Sequence, residues 1–195
     1  MREMVVQVIG MLSETVSVAD RYTEEHCQRL QQLSLRIGER LQLKDQELQN
    51  LKYAALLHDV GKVGVPVHIL VKKGPLTSEE WQQIREHPKK GAEIVRQLAG
   101  FNDVAEIIEQ HQERVDGKGY PLGLTQDHIR REAAIISVVD AFDAMISDRP
   151  YRKAMSVAQA IEELNRNSGT QFDANVVKAF VELLNSPEAP SLNQE

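Results

Sequence analysis

The 195-residue sequence contains a single cysteine, Cys27. One thiol cannot form an internal disulfide, so we expect a protein of a reducing compartment, the cytoplasm. No apolar run reaches the roughly 18 residues that a membrane-spanning helix requires, so we expect no membrane span. The first 20 residues are apolar, but Glu14 and Asp20 interrupt them and a basic start is missing, which argues against a signal peptide.

Basic residues are also in the minority. Lys and Arg number 23 against 29 Asp and Glu, which gives a net charge of −6. This balance argues against binding of a nucleic-acid polymer, because such binding depends on basic patches. It leaves room for a small phosphorylated ligand held by a few local cations.

Apolar residues recur at helical spacing along nearly the whole chain, and no segment has a convincing strand pattern. We therefore predict an all-α fold, one domain of about eight or nine helices spanning residues 21–185. Residues 1–20 are predicted to form an N-terminal helix that either packs on this domain or connects it to something upstream. Residues 186–195 contain two prolines and polar side chains and are predicted to be a flexible tail.

The local signals place the individual helices. We predict a helix from about Thr23 and a second from Lys44 to Asp59, ended by Gly61. Pro88 predicts a break at His87, between one helix and the next. The remaining predictions are loops at 61–77 and 114–124, helices at 102–113 and 129–147, and capped helices that begin near Thr77, Ser156 and Asp173.

Several ligand-type side chains fall on apolar helix faces. A lone histidine there, such as His26 or His58, is most often a hydrogen-bonded core residue. Asp59 and Asp140 change the interpretation, because burying an ionised carboxylate is costly unless it is paired or binds a metal. Asp140 and Asp143 share one face of the most apolar helix, and a structural ion pair is the alternative there. A metal would explain the histidines and the carboxylates together.

His87 and His111 extend this candidate metal set, whereas His68, His128 and Cys27 are predicted to lie outside it. Mixed imidazole and carboxylate ligands favour Fe, Mn, Ni or Zn over Mg or Ca. A carboxylate such as Asp59 can bridge two ions, and two ions together favour attack on phosphorus by an activated water. Cations near the ligands would hold phosphate, and the candidates are Lys62, Arg149 and Arg152.

Five motifs appear in one order along the chain: HDVGK at 58–62, HPKKG at 87–91, DGKGYP at 116–121, VVDAFDAM at 138–145 and SDRPYRKA at 147–154. Together they resemble the HD-GYP family of the HD phosphohydrolase superfamily, over roughly residues 20–185. The resemblance implies a helical HD fold and hydrolysis of the bacterial second messenger cyclic di-GMP by a metal-activated hydroxide. The products would be linear pGpG or GMP.

The resemblance also implies a role for each motif residue. His26, His58, Asp59 and Asp140 look like the HD ligand quartet, with Asp59 bridging to a second metal at His87 and His111. Asp59 and Lys62 would be catalytic, with Lys62 on the phosphate. The implied substrate-contacting residues are Lys62, Tyr120, Asp143, Arg149 and Arg152. The glycine–tyrosine loop at 117–121 would contact the substrate, an upstream regulatory domain or a diguanylate cyclase.

Two positions depart from the family pattern. Many members have two adjacent histidines before a glutamate, and here the sequence is His111-Gln112-Glu113. The amide oxygen of Gln112 would be at best a weak ligand. Members with three metals carry a glutamate four residues before the first histidine, and Tyr22 stands there. We therefore expect two divalent metals, Fe or Mn ahead of Ni or Zn.

Two other functions stay open at this level. Gln112 favours a catalytically weak or inactive module that binds a cyclic dinucleotide or a signalling partner. The second alternative is an HD phosphohydrolase that acts on another nucleotide. Metal content, measured together with formation of a linear product, separates these possibilities.

Overall fold

The computed structural model describes residues 24–148 and 153–187. The N-terminal helix predicted over 1–20, Tyr22, Arg149, Arg152 and most of the tail lie outside these ranges. The described residues form nine α-helices and no strand, which confirms the predicted all-α fold. The helices are α1 (Glu24–Arg40), α2 (Asp45–Leu57), α3 (Val67–Leu70), α4 (Ser78–Arg85), α5 (His87–Arg96), α6 (Asn102–Gln110), α7 (Arg131–Ile146), α8 (Val157–Arg166) and α9 (Ala174–Leu184).

The centre of the core is α7, whose apolar side chains are buried on nearly every side. Ile135, Ile136 and Phe142 of this helix are fully buried. The α1 stripe of Leu30, Leu33 and Ile37 is equally buried and belongs to the same cluster. The core therefore places the polar side chains of α1 and α7 next to each other. None of the described helices is long and apolar enough to cross a membrane.

The main boundary error concerns Gly61. We predicted that this glycine ends α2, but α2 ends at Leu57 and Gly61 lies inside a 3-10 turn, Val60–Gly64. The reason is tertiary, since a Cβ on Gly61 would lie 1.9 Å from the carbonyl oxygen of His87. Glycine is required there because two backbone segments meet, and this contact brings the end of α2 against the start of α5.

Other boundaries moved by a few residues. The segment predicted as a loop over 61–77 includes the single turn α3. The break before Pro88 is one residue earlier than predicted, at Glu86, because proline is tolerated in the first turn of α5. The helix predicted over 102–113 already ends at Gln110. The predicted caps are present: Thr77, Ser156 and Asp173 each accept a backbone N–H of the helix that follows.

Candidate metal centre

The structure brings all six predicted metal ligands together from five helices and their ends. They form two groups of three: His26, His58 and Asp140 in one, and Asp59, His87 and His111 in the other. Within each group the ligand atoms lie within 4.8 Å of one another. The chain thus offers two neighbouring sites, each with two imidazoles and one carboxylate.

Asp59 connects the two groups through its two oxygens. Oδ2 lies 3.4 Å from Nε2 of His58, and Oδ1 lies 3.3 Å from Nε2 of His87. Nε2 of His87 is in turn 3.2 Å from Nε2 of His111. In the first group, Nε2 of His26 lies 3.9 Å from Oδ1 of Asp140. This arrangement gives Asp59 the position that a bridging ligand needs.

Three of the histidines are oriented by the helix turn that precedes them. The Nδ1–H groups of His58, His87 and His111 donate to the carbonyl oxygens of Ala55, Ile84 and Ile108, each three residues earlier, at 2.7–2.8 Å. A carbonyl oxygen only accepts, so each Nδ1 carries a proton and Nε2 is the ring nitrogen that faces the centre. Such a hydrogen bond on the far nitrogen is typical of metal-ligating histidine.

His26 is oriented differently, by a carboxylate. Its Nδ1 lies 2.5 Å from Oδ2 of Asp143, and Asp143 also accepts hydrogen bonds from the guanidinium of Arg29. Asp143 is 1% exposed. It therefore lies on the side of the His26 ring opposite the centre, although the family resemblance placed it among substrate contacts. Our sequence interpretation missed Arg29, and its three-residue spacing from His26 on α1 was the available signal.

Charge and burial together set the protonation states of the second group. Burial by itself would raise the pKa of Asp59, but the charges of Lys62 and His58 outweigh it and hold this pKa well below its usual range. Burial, aided by the other histidines, lowers the pKa of His111 well below that of free imidazole. The pKa of His87 is also lowered, mainly by burial. A carboxylate and two neutral imidazoles are the protonation states that metal binding requires.

Neighbouring carboxylates determine the protonation of His58 in the first group. Burial opposes charge on His58, yet Asp59 and Asp140 together raise its pKa to about 9. Nε2 of His58 and Oδ1 of Asp140 are buried and have no hydrogen-bond partner in the described part of the chain. Leaving such atoms unsatisfied costs about 1–3 kcal/mol each. The donor set and these two atoms fit a bound cation, which would satisfy both.

Lys62 lies directly beside the centre. Its Nζ is 2.9 Å from Oδ2 of Asp59, and the residue is 8% exposed. The 3-10 turn after α2 places it there, one turn beyond His58 and Asp59. A buried ammonium at this distance offsets the negative charge of the Asp59 carboxylate.

The glycine–tyrosine loop is fixed to the end of α6 by Glu113. This carboxylate accepts the backbone N–H groups of Leu122 at 2.6 Å, Gly123 at 3.1 Å and Leu124 at 2.9 Å. Glu113 is 3% exposed. The role of Glu113 depends on a chain reversal that its local sequence does not reveal.

This anchoring brings Tyr120 next to the centre. Its ring centroid is 6.4 Å from that of His87, and its hydroxyl donates to the Gln112 amide oxygen at 3.2 Å. Burial, with smaller effects of Asp59 and Asp140, raises the pKa of Tyr120 to about 12, so the phenol stays protonated. The oxygen that we considered as a weak metal ligand, that of Gln112, thus accepts a hydrogen bond from the loop.

The ligand-type residues that we predicted to lie outside the metal set belong to neither group. His68 and His128 are exposed, and Cys27 is half-buried on α1 outside both ligand groups. Arg149 and Arg152, predicted to contact phosphate, lie outside the described residues.

Comparison with known proteins shows what this arrangement resembles. A family model described as an HD domain matches residues 10–176. A cyclic di-GMP phosphodiesterase of Thermotoga maritima is 38% identical over 92% of this chain and 48% of its own length. A 3'3'-cGAMP-specific phosphodiesterase of Vibrio cholerae is 34% identical over 91% of this chain and 39% of its own length. The chain thus spans about half or less of the length of these curated relatives.

Solved structures share the fold at low identity. A cyclic GMP-AMP-specific phosphodiesterase of V. cholerae superposes with a TM-score of 0.74 at 21% identity, covering 93% of this chain and 49% of that one. The HD domain of the phosphodiesterase PgpH from L. monocytogenes, in complex with cyclic-di-AMP, gives a TM-score of 0.57 at 17% identity, covering 89% of this chain and 95% of that one. At these identities the likeness shows the fold alone.

Proposed function

The chain belongs to the HD domain family, and we propose that it hydrolyses the bacterial second messenger cyclic di-GMP to linear pGpG or GMP. The observation that carries the proposal is the pair of three-ligand groups joined by Asp59. The names of the similar proteins support the substrate class, because they are phosphodiesterases of cyclic dinucleotides.

We propose two divalent ions, Fe or Mn ahead of Ni or Zn, one held by each group. Four imidazoles and two carboxylates suit these ions better than Mg or Ca, which prefer oxygen ligands alone. When bound, two such ions supply the Lewis acidity and the activation of a nucleophile that phosphodiester hydrolysis needs.

The protein's own residues would then position and neutralise charge. Asp59 remains an anion because Lys62 lies beside it, so it can serve both groups at once. The Lys62 ammonium would stabilise the negative charge that grows on the phosphate oxygens as the bond breaks. Arg149 and Arg152 stay predicted as further phosphate contacts. Asp143 would act through His26, by holding its Nδ1–H, and not on the substrate.

A specific observation favours a second substrate. The V. cholerae relative named for 3'3'-cGAMP is 34% identical over nearly the same span, close to the 38% of the T. maritima protein. The two substrates differ in one purine base.

A weak or inactive binding module is the remaining alternative, and it is supported by Gln112, whose oxygen accepts a hydrogen bond from Tyr120.

We also propose where the protein acts and what it contacts. A single free cysteine is consistent with the reducing cytoplasm.

The loop at 117–121 is followed by Leu122, which is 53% exposed. An exposed apolar side chain on an anchored loop supports contact with a regulatory domain or a diguanylate cyclase through this surface.

The direct test measures metal content and products on the same purified samples. The wild-type protein is expected to hold up to two ions per chain and to convert cyclic di-GMP into a linear product. Asp59→Ala should lose bound metal and activity together, because both groups lose the shared carboxylate. His68→Ala removes an exposed histidine outside the centre and is the matched control. An Asp59→Ala protein that keeps two ions would refute the bridging role, and cleavage of 3'3'-cGAMP alone would refute the substrate.

A further inference from the structure

A pocket of about 360 Å³ lies beside the metal centre, and its wall includes Trp81, Arg85, Gln112, Lys118, Tyr120 and Gln171. We propose that this pocket binds a guanine base of the cyclic dinucleotide by the base's hydrogen-bond acceptors. The inference rests on the proposed function for the identity of the substrate. The side chains of the pocket indicate which part of that substrate binds there, the guanine base. Its volume is within the range of small-molecule sites, about 300–1,000 Å³.

The position of the pocket suits a base attached to a phosphate at the centre. Tyr120 lines the pocket and its ring is 6.4 Å from that of the ligand His87. Gln112 follows the ligand His111 directly, and Ser137 of the pocket lies one helical turn before Asp140. A nucleotide whose phosphate reaches the two ligand groups therefore has this pocket within reach of its base.

The side-chain amide and carboxylate oxygens of the pocket lining each accept at least one hydrogen bond within the protein. The oxygen of Gln112 accepts from Tyr120, and that of Gln171 accepts from Arg114 at 3.0 Å. The Glu113 carboxylate accepts three backbone N–H groups of the loop. The polar groups that remain for a ligand are mostly donors: the amide NH₂ groups of Gln112 and Gln171, the Lys118 ammonium and the Arg85 guanidinium.

Arg85 is the donor best placed to read a base. Its guanidinium lies over the Tyr120 ring, 4.7 Å from the centroid, and within the described chain it forms no salt bridge. A guanidinium can donate two parallel hydrogen bonds to O6 and N7 of guanine, whereas adenine presents an amino donor in place of O6. At this edge of the base, two donors from Arg85 thus favour guanine over adenine.

Trp81 supplies an aromatic surface at the mouth of the pocket. It is 50% exposed, although a tryptophan usually buries most of its area. Bases stack on exposed aromatic side chains in many nucleotide sites. Because Trp81 is the single tryptophan of the sequence, its emission reports on this pocket alone.

The first test measures binding of GMP and AMP to the metal-loaded protein by calorimetry, with Trp81 fluorescence recorded in parallel. We expect wild-type protein to bind GMP at least 10-fold more tightly than AMP, with a change in Trp81 emission. Arg85→Ala should reduce this preference to about 2-fold or less. Arg40→Ala, which removes a half-exposed arginine at the end of α1, should leave it intact. Equal binding of both nucleotides by the wild type, or GMP binding that leaves Trp81 unaffected, would overturn the proposal.

The second test separates the base from the phosphate by steady-state kinetics. Arg85→Ala should raise KM for cyclic di-GMP about 10-fold while kcat stays near the wild-type value. Hydrolysis of cyclic di-AMP and of bis(p-nitrophenyl) phosphate, which lacks a base, should not change. An equal effect on cyclic di-GMP and cyclic di-AMP would assign Arg85 to a phosphate and overturn the guanine assignment. A protein that hydrolyses none of these compounds, but binds GMP through Arg85, would refute the proposed function and leave the pocket assignment supported.

Discussion

At the residue scale, each histidine of the centre is fixed through the nitrogen that does not face it. For His58, His87 and His111 the acceptor is a backbone carbonyl, which can be replaced only by moving the helix. For His26 the acceptor is the side chain of Asp143, which is itself held by Arg29. Substitution can therefore test this kind of support at His26 and not at the other three.

Asp143→Asn is expected to weaken metal binding by the His26 group. Asparagine keeps one acceptor oxygen but loses the charge that favours the Nδ1–H form of His26 and the contact with Arg29. Loss of such a supporting partner typically reduces metal affinity about 10- to 100-fold, which competition with a chelator measures. Asp103→Asn removes an exposed carboxylate paired with Arg130 and is the control. If Asp143→Asn changes KM while metal retention is unaltered, Asp143 contacts substrate instead.

Lys62→Ala should separate metal binding from turnover. Lys62 is not one of the ligand-type residues of either group, so metal content is expected to stay near the wild-type value. A charge-assisted contact to the phosphate is worth about 1.5–3 kcal/mol, so kcat/KM should fall about 10- to 150-fold. Lys89→Ala, an exposed lysine of α5, should have no such effect. Wild-type kinetics in Lys62→Ala would place this side chain outside the reaction.

Gln112→His tests whether the departure from two adjacent histidines has a functional cost. An imidazole is a far better donor to Fe or Mn than an amide oxygen, so this variant should retain metal at chelator concentrations that strip the wild type. Its hydrogen bond to Tyr120 is lost, so Gln112→Ala is the matched control for that loss alone. Equal metal retention in wild type and Gln112→His would show that position 112 has no influence on the centre.

At the element scale, the centre depends on backbone contacts between helix ends. Gly61 of the 3-10 turn lies against the backbone of His87 and Gly91 at the start of α5. This close approach is what places Asp59, from the end of α2, beside His87. Gly119 has the same function in the loop, since a Cβ there would lie 2.3 Å from the backbone nitrogen of Arg114.

Gly61→Ala is expected to destabilise the protein and to separate the two ligand groups. The added methyl would lie 1.9 Å from the His87 oxygen, so α5 must shift, and we expect a loss of about 1–3 kcal/mol in the free energy of unfolding. Metal content should fall as well. Gly74→Ala is the matched control, because no atom lies within 4 Å of its added Cβ. Equal denaturation midpoints for the two variants would contradict the close contact.

At the scale of the whole molecule, the centre concentrates buried polar side chains where five helices meet. The six ligand-type side chains from α1, α5, α7 and the ends of α2 and α6 converge there. Within the described residues, Nε2 of His58 and Oδ1 of Asp140 have no hydrogen-bond partner. A bound cation would therefore link helix ends that the apolar core holds only on their other faces. Metal binding and global stability should be coupled for this reason.

Removal of metal should lower the thermal stability of the wild-type protein. An ion at 100 times its dissociation constant stabilises the folded state by about 2.7 kcal/mol, which corresponds to roughly 5–10 °C for a chain of this size. Scanning calorimetry with and without a chelator measures this difference. In Asp59→Ala the chelator should have little effect, because the variant holds less metal. An unchanged Tm for chelated wild type would show that the centre is rigid without ions.

The sequence by itself determined the helical architecture, most of the caps and the six ligand-type residues, because each depends on local spacing or on a short motif. It also identified Lys62, which lies one turn from His58 and Asp59. What only the tertiary structure decided was the function of residues whose partners are distant in the chain. Asp143 supports His26 across 117 residues, and Glu113 fixes a loop that returns to it. The close approach at Gly61 and the donor-rich lining beside Arg85 likewise arise where separate helices meet, and helical periodicity carries no information about such meetings.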